Sequence, residues 1–311
     1  MNKSENIFTH DHFNTWQTCA MRYHFKYAKK LNYPDFTDDY ELGRNLHALV
    51  DYQLRGFEVD NLLQHASDEA QDCWNHLKDY PLLGKKIIKT EWSFNSRIGI
   101  PKQKGFSDLG EPELIEDSVI SENRITNAWL PAINGVQNWL IGRIDAIFYD
   151  SERNKYIIAD WKTGKYVPKN IESNFQHKIY LYAFYKSQKD LGLEFEPEDL
   201  EFQYVKIMPE QNSDLGNPCE AGAPLANSFP ELIENSVIHE NSITNSCPTL
   251  YKNGISVNTI DFSKEKMLEY EKKFLWIIKN IQEKQDITPP ESCHLESCVY
   301  NNLCFKQQKF F

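Results

Sequence analysis

The chain reads Gly142-Arg-Ile-Asp145-Ala-Ile-Phe-Tyr149 and, after a short turn, Tyr156-Ile-Ile-Ala-Asp160-Trp-Lys162-Thr-Gly164. This pattern is two adjacent strands carrying acid, acid and lysine. Asp160 and Lys162 stand two apart, so the period of a strand turns both side chains to one face. Two carboxylates there can hold a hard cation, with the ammonium beside an attacking water. The same spacing also occurs on solvated sheet edges. Here, however, Trp139 to Ile141, Ile144 to Phe148 and Tyr156 to Ala159 are too apolar for strands with an exposed face, so the charges emerge from a buried strand end. Charged groups in such a place pair with one another or with a metal.

Outward from this hairpin, apolar periodicity predicts a helix over His12 to Leu31, a second over Tyr40 to Leu54 stopped by Gly56, and a third over Leu62 to Leu77. Strands are expected at Ile87 to Phe94, Val136 to Tyr149, Lys155 to Lys162, Glu201 to Met208 and Ser256 to Phe262. A helix spans Asn174 to Leu191, and a long one runs from Lys264 to Glu283 with Ser263 as its N-cap. The order implies an α/β fold with a mixed central sheet between helices.

With 311 residues, 41% of them apolar, the chain can bury a sizeable core as one large domain. No run of about 18 apolar residues occurs, and the opening Met-Asn-Lys-Ser-Glu-Asn lacks the apolar core of a signal peptide; the expected compartment is cytoplasmic, with no membrane. A net charge of −11 argues against a broad basic surface that wraps duplex nucleic acid, so any nucleic-acid path must be local. Arg22, Lys26, Lys29 and Lys30 are the densest basic cluster near the amino end, either a phosphate track or the solvated face of a helix. Among them Tyr23, Phe25 and Tyr27 are candidates for stacking on single-strand bases, with core packing as the alternative.

Two segments resemble each other. Pro112 to Asn127 returns as Pro230 to Asn245, identical at 13 of 16 positions and differing at Asp117/Asn235, Ser121/His239 and Arg124/Ser242. Two copies do not make a solenoid. Each falls between expected strands, which reads as loop insertions at about 108–131 and 212–250 in a single domain spanning 1–311.

Taken together, the motifs resemble the RecB-like branch of the PD-(D/E)XK nucleases, which includes AddB-type and CRISPR-adaptation exonucleases that carry an iron–sulfur cluster. Thr18-Cys19-Ala-Met-Arg22-Tyr23 resembles that family's first element, Gly43-Arg-Asn-Leu-His47 its Gly-x-x-x-His helix, and Gly142-Arg-Ile-Asp145 its first acid. Asp160-Trp-Lys162-Thr-Gly resembles its second acid and lysine, and Gln176-His-Lys-Ile-Tyr180 its Gln-x-x-x-Tyr helix. The resemblance implies a restriction-endonuclease-like fold with Asp145, Asp160 and His47 as ligands of Mg²⁺ or Mn²⁺. It assigns Lys162 to the attacking water, and Gln176 and Tyr180, one helical turn apart, to the active centre or the substrate backbone. For Tyr180, core packing is the alternative. Glu91, in Thr-Glu-Trp-Ser-Phe, is either a further acid near the metal or an ordinary strand carboxylate.

Seven cysteines, an odd number, argue against a disulfide framework. Cys293, Cys298 and Cys304 near the carboxyl end, with Cys19 near the amino end, resemble the family's four ligands to a [4Fe–4S] cluster that would join a cysteine-rich tail, about 285–311, to the first helix. The gap of four residues between Cys293 and Cys298 departs from the two expected in that family. It leaves open a cluster, a Zn²⁺ site on the same thiolates, or no metal. Cys73, Cys219 and Cys247 lie outside this set.

The implied function is a divalent-metal-dependent DNA nuclease, an exonuclease or single-strand nuclease in repair, recombination or foreign-DNA processing. The chain has no Gly-x-x-x-x-Gly-Lys-[Ser/Thr] segment, so a separate helicase or a repair or CRISPR partner would supply the strand at duplex ends. The alternatives from other classes are a non-catalytic nucleic-acid-binding or scaffold protein with a structural metal centre, and an iron–sulfur redox protein. The insertion reading is open to test. Deleting 112–127 and 230–245 together is expected to leave a soluble chain with an unchanged circular-dichroism melting profile, and loss of soluble protein contradicts it.

Overall fold

The computed structural model describes residues 5–31, 40–98, 137–163, 171–208, 249–251, 254–283, 298–300 and 303–304. Both repeat segments, Cys293, Cys219 and Cys247 lie outside the described residues. The elements are β1 (Glu5–Phe8), α1 (His10–Thr18), α2 (Ala20–Tyr23), a π-helical turn (His24–Ala28), α3 (Tyr40–Leu54), α4 (Asp60–Leu63), α5 (Asp68–Leu77), β2 (Lys86–Ile98), β3 (Gln137–Asp150), β4 (Lys155–Thr163), α6 (Phe175–Ser187), β5 (Leu200–Ile207), β6 (Thr249–Tyr251), β7 (Ile255–Asp261) and α7 (Lys264–Glu283).

Among the described residues the strands form one mixed sheet in the order β1-β3-β4-β5-β7-β6, with β2 also paired to β3. β1 with β3 and β4 with β5 are parallel, and the other pairs are antiparallel. Helices cover both faces. Phe13 and Trp16 of α1, Phe175 to Phe184 of α6 and Phe274 of α7 share a core with Ile144, Ile158 and Phe202 of the sheet. On the other face, Leu46 and Leu49 of α3 and Trp74 and Leu77 of α5 pack on Phe148, Ile157, Trp161 and Val205. The fold is therefore α/β with a mixed central sheet flanked by helices, a restriction-endonuclease-like arrangement. No helix among the described residues is long and apolar enough to cross a membrane.

Local chemistry explains where the elements begin and end. α3 and α7 have the expected bounds, and Ser263 Oγ accepts the Lys266 N–H at 3.3 Å as the N-cap of α7. The helix expected over His12 to Leu31 is broken at Cys19, whose extended backbone (φ −166°) ends α1 and whose sulfur accepts the Arg22 N–H to start α2. Leu62 to Leu77 is two helices, because Ser67 caps a fresh start by accepting the Ala70 N–H. Helix α6 starts one residue after its N-cap Asn174, whose side chain accepts the Gln176 N–H at 2.8 Å.

Every residue of α6 from Phe175 to Phe184 is buried, including Lys178. The Lys178 ammonium lies 5.5 Å from the Phe175 ring and 5.4 Å from that of Tyr270. Burial, with Lys273 beside it, pulls its pKa down from 10.5 to about 8. The folded state thus releases this proton more readily than the unfolded chain. The charge destabilises the fold below about pH 8, and the penalty fades as pH rises towards 10.5. Lys178→Met is expected to raise unfolding stability at pH 7 by on the order of 1–3 kcal/mol, with a smaller gain at pH 10. Urea denaturation at the two pH values checks this, and a less stable variant at pH 7 contradicts it.

Candidate active site

The sheet opens at one place. β2 takes one edge of β3 from Asn138 to Tyr149. On the other edge, β1 pairs only as far as Leu140 and β4 only from Ala146. Among the described residues, 141–145 of β3 therefore face no strand on that side, while β4 runs on past Ala159 paired only to β5. A cavity of about 290 Å³ occupies the gap. Its lining comes from Thr9 and His10 after β1, His47 of α3, Gly142, Arg143 and Asp145 of β3, Asp160 and Lys162 of β4, and Gln176 and Tyr180 of α6.

The peptide of Trp161 organises this gap. Its N–H donates to Asp145 Oδ2 at 3.0 Å, and its carbonyl lies 3.0 Å from His47 Nε2. A carbonyl only accepts, so Nε2 carries the proton, and in the neutral ring Nδ1 presents a lone pair. That lone pair faces Asp145 Oδ1 at 3.5 Å and Glu91 Oε1 at 4.0 Å. Ligand atoms of His47, Glu91 and Asp145 all lie within 4.8 Å of one another. Burial first, and then the Asp160 charge, push the Asp145 carboxyl well above the usual carboxylate range; His47, Lys162 and the Trp161 N–H oppose the shift.

Asp160 is 1% exposed. Its Oδ1 accepts from Gln176 Nε2 at 2.6 Å, and its Oδ2 lies 2.7 Å from Lys162 Nζ. That second contact is an ion pair without hydrogen-bond alignment, and Oδ2 has no hydrogen-bond partner among the described residues. Gln176 Nε2 also lies 3.5 Å from the Tyr180 hydroxyl, which burial and Asp160 keep protonated by raising its pKa. Tyr180 is both things the sequence allowed: it packs in the core and lines the cavity.

Glu91 sits where the strand is irregular. Its neighbours pair in register with Ala146 and Ile144, which sets Glu91 across from Asp145, and its φ of +45° is left-handed. For a non-glycine residue in a strand this costs on the order of 1–3 kcal/mol and persists only where the surroundings enforce it. Opposite it the alternation of β3 reverses, since Ile144 and Ala146, two apart, pack into cores on different faces. Arg143 Nε holds the second Glu91 oxygen at 2.8 Å.

Sequence alone leaves Glu91 between a further acid and an ordinary strand carboxylate, and Thr9, His10 and Arg143 are not singled out by it. Arg143 stood inside the Gly142 to Asp145 motif, and His10 lay just ahead of an expected helix start at His12. Of the amino-terminal aromatics, Tyr23 and Phe25 follow the core-packing alternative and are buried. Lys26 is paired with Asp11 at 2.6 Å, and Lys29 and Lys30 are exposed. Of the four tail-and-helix cysteines, Cys19, Cys298 and Cys304 gather in a small separate core with Met21, Phe25 and Tyr300. The Tyr300 hydroxyl donates to the Leu31 carbonyl at 2.6 Å, and its ring stacks on Phe25 at 5.6 Å.

The hairpin of carboxylates, the lysine on its second strand and the mixed sheet between helices define a class. The chain belongs to the PD-(D/E)XK nuclease superfamily, whose family model matches residues 7–305. No individual curated protein matches it. Members of the superfamily are typically nucleases that use divalent metal ions. The residues present fit such an ion: a buried carboxylate oxygen of Asp160 lacks a hydrogen-bond partner among the described residues, and the His47 lone pair faces two further acceptors.

Two glycines hold the packing around the site. A Cβ at Gly43 would meet Thr163 Oγ1 at 3.3 Å, so glycine lets α3 lie close to the end of β4. At Gly142 a Cβ would come within 2.7 Å of the Phe94 ring and 3.1 Å of the Tyr180 ring. Gly142→Ala is expected to lower unfolding stability by about 1–3 kcal/mol as these rings are displaced. Chemical denaturation measures it, and wild-type stability contradicts the packing described.

Proposed function

We propose that the protein is a divalent-metal-dependent deoxyribonuclease of the RecB-like branch, an exonuclease or single-strand nuclease in DNA repair, recombination or foreign-DNA processing. The observation that carries the reading is the convergence of His47 and Asp145 on the two ends of the Trp161 peptide, with Glu91 and Asp160 beside them. His47 through Nδ1, Asp145 and Asp160 are the residues that hold Mg²⁺ or Mn²⁺, joined by Glu91. Oxygen and imidazole ligands suit those ions. When bound, such an ion supplies Lewis-acid activation of water and offsets charge on the scissile phosphate.

The chain's own residues do the rest. Lys162, paired with Asp160, orients the attacking water and stabilises negative charge developing on the phosphate. Gln176 fixes the Asp160 carboxylate through its 2.6 Å hydrogen bond and leaves the second oxygen available. The Tyr180 hydroxyl, kept protonated, is a donor for the substrate backbone.

Residues 1–311 form a single nuclease domain with insertions at about 108–131 and 212–250. Cys19, Cys293, Cys298 and Cys304 hold a [4Fe–4S] cluster of structural role, or Zn²⁺ on the same thiolates, that ties the tail at about 285–311 to the amino-terminal helices. The shared core of Cys19, Cys298 and Cys304 supports this. The substrate is DNA, as single strands or duplex ends, with a separate helicase or a repair or CRISPR partner.

Cleavage of end-labelled single-stranded and duplex DNA and of RNA with Mn²⁺ is the test. Asp160→Ala and Lys162→Ala, each alone, are expected to reduce DNA cleavage by at least about 100-fold. His47→Ala and Glu91→Ala are expected to weaken Mn²⁺ binding at least about tenfold by calorimetry. Cleavage that persists in both of the first two variants contradicts the catalytic assignment.

A further inference from the structure

One wall of the cavity does not come from the metal-holding groups. Thr9, the N-cap, and His10, the first residue of α1, enter it where β1 gives way to α1. That junction is anchored on both sides. Phe8 pairs with Leu140, one residue before the unpaired stretch of β3 begins, and its ring lies 5.8 Å from that of Phe13. Thr9 caps α1: its N–H donates to His12 Nδ1 at 3.1 Å, and its hydroxyl lies 2.8 Å from the same nitrogen. His12 in turn stacks on Tyr27 with centroids 3.9 Å apart, and burial holds its pKa down at about 4, so the ring stays a neutral acceptor.

His10 is therefore set on a fixed backbone. Its ring meets Tyr180 edge to face at 6.2 Å, yet its Nδ1 is buried with no hydrogen-bond partner among the described residues. Buried polar atoms are ordinarily satisfied, and one left unsatisfied costs stability. His10 does not belong to the group of ligand atoms around His47. Its surroundings are of another kind: besides the groups that would hold a metal, the cavity is lined by the Lys162 ammonium, the Arg143 guanidinium, the Tyr180 and Thr9 hydroxyls and the Gln176 amide, each of which carries at least one donor. Burial, and then the Lys162 charge, keep the His10 ring below its ordinary pKa, so it donates one N–H as a neutral group.

We propose that His10 is a substrate-contacting residue, its imidazole N–H hydrogen-bonding a phosphate oxygen of the nucleic-acid strand that lies along the unpaired stretch of β3. This rests on the nuclease reading above. A phosphodiester offers only acceptors at its non-bridging oxygens, which matches a wall of donors. A base, which needs a flat apolar surface, does not match. The contact involves no proton transfer: the imidazole keeps its proton and supplies a fixed donor that aligns the backbone against the carboxylates.

The test uses the full chain as wild type, His10→Ala and His10→Gln, the last retaining a donor. Three quantities are measured: Mn²⁺ affinity by calorimetry, binding of a labelled single-stranded oligonucleotide with Ca²⁺ in place of Mn²⁺, and kcat and KM for its cleavage with Mn²⁺. His10→Ala is expected to keep its Mn²⁺ affinity within about twofold while oligonucleotide affinity and kcat/KM fall roughly 10- to 100-fold, and His10→Gln to recover most of the loss. Wild-type binding and kinetics in His10→Ala overturn the proposal and leave the nuclease reading standing. A parallel loss of Mn²⁺ affinity also overturns it, because His10 would then support the metal centre. A wild-type chain that neither binds nor cleaves the oligonucleotide overturns both.

Discussion

The site depends on one peptide group. Where β4 stops pairing with β3, the Trp161 N–H and carbonyl lose the neighbours that a continuous ladder would give them on that side, and buried backbone groups must be paired. Side chains take the vacant positions, Asp145 accepting from the N–H and His47 donating to the carbonyl. The indole of the same residue is anchored in the core under α3 and α5, so the peptide has little freedom to shift. One backbone requirement thus brings a carboxylate from β3 and an imidazole from α3 to adjoining places. It also decides which nitrogen of the imidazole is left to bind something else.

Bringing these groups together has an electrostatic cost. Asp145 and Asp160 are 9% and 1% exposed, and two carboxylates buried near each other resist both being ionised. Among the described residues the compensation comes from the Trp161 N–H, the Gln176 amide, the misaligned Lys162 ammonium and the nearby His47. The upward shift of Asp145 reflects its burial and the nearby Asp160 charge, and Glu91, held on a left-handed backbone, adds a third acid to the same few ångströms. Negative charge concentrated so closely, against a histidine presenting a lone pair, fits the proposed divalent cation. The two hydrophobic cores on either side of the sheet supply the stability against which this local cost is set.

Much of this could be read from residue order because strong periodicities carried it. The apolar runs around Asp145 and Asp160 marked buried strands, and the helices at Tyr40–Leu54 and Lys264–Glu283 had clear stripes and stops. Other features left no such trace. The break at Cys19 interrupts a stripe whose apolar spacing continues across it, so nothing in the pattern announced a new helix. β1 is four residues long and half polar, too short for alternation to register, and with it went the placement of His10. Glu91 was legible as a strand residue. Its left-handed backbone and its position across from Asp145 arise from the pairing of β2 with β3, a long-range fact that local sequence does not encode.

A single divalent ion between the imidazole on α3 and the acids of the central hairpin would be visible by anomalous diffraction from crystals soaked in Mn²⁺. A manganese peak is expected in ligation contact with His47 Nδ1 and the Asp145 carboxylate, at roughly 2.0–2.6 Å from the carboxylate oxygens, with His47 Nε2 still directed at the Trp161 carbonyl. A peak bound through Nε2, or one that avoids Asp145 altogether, would contradict this arrangement.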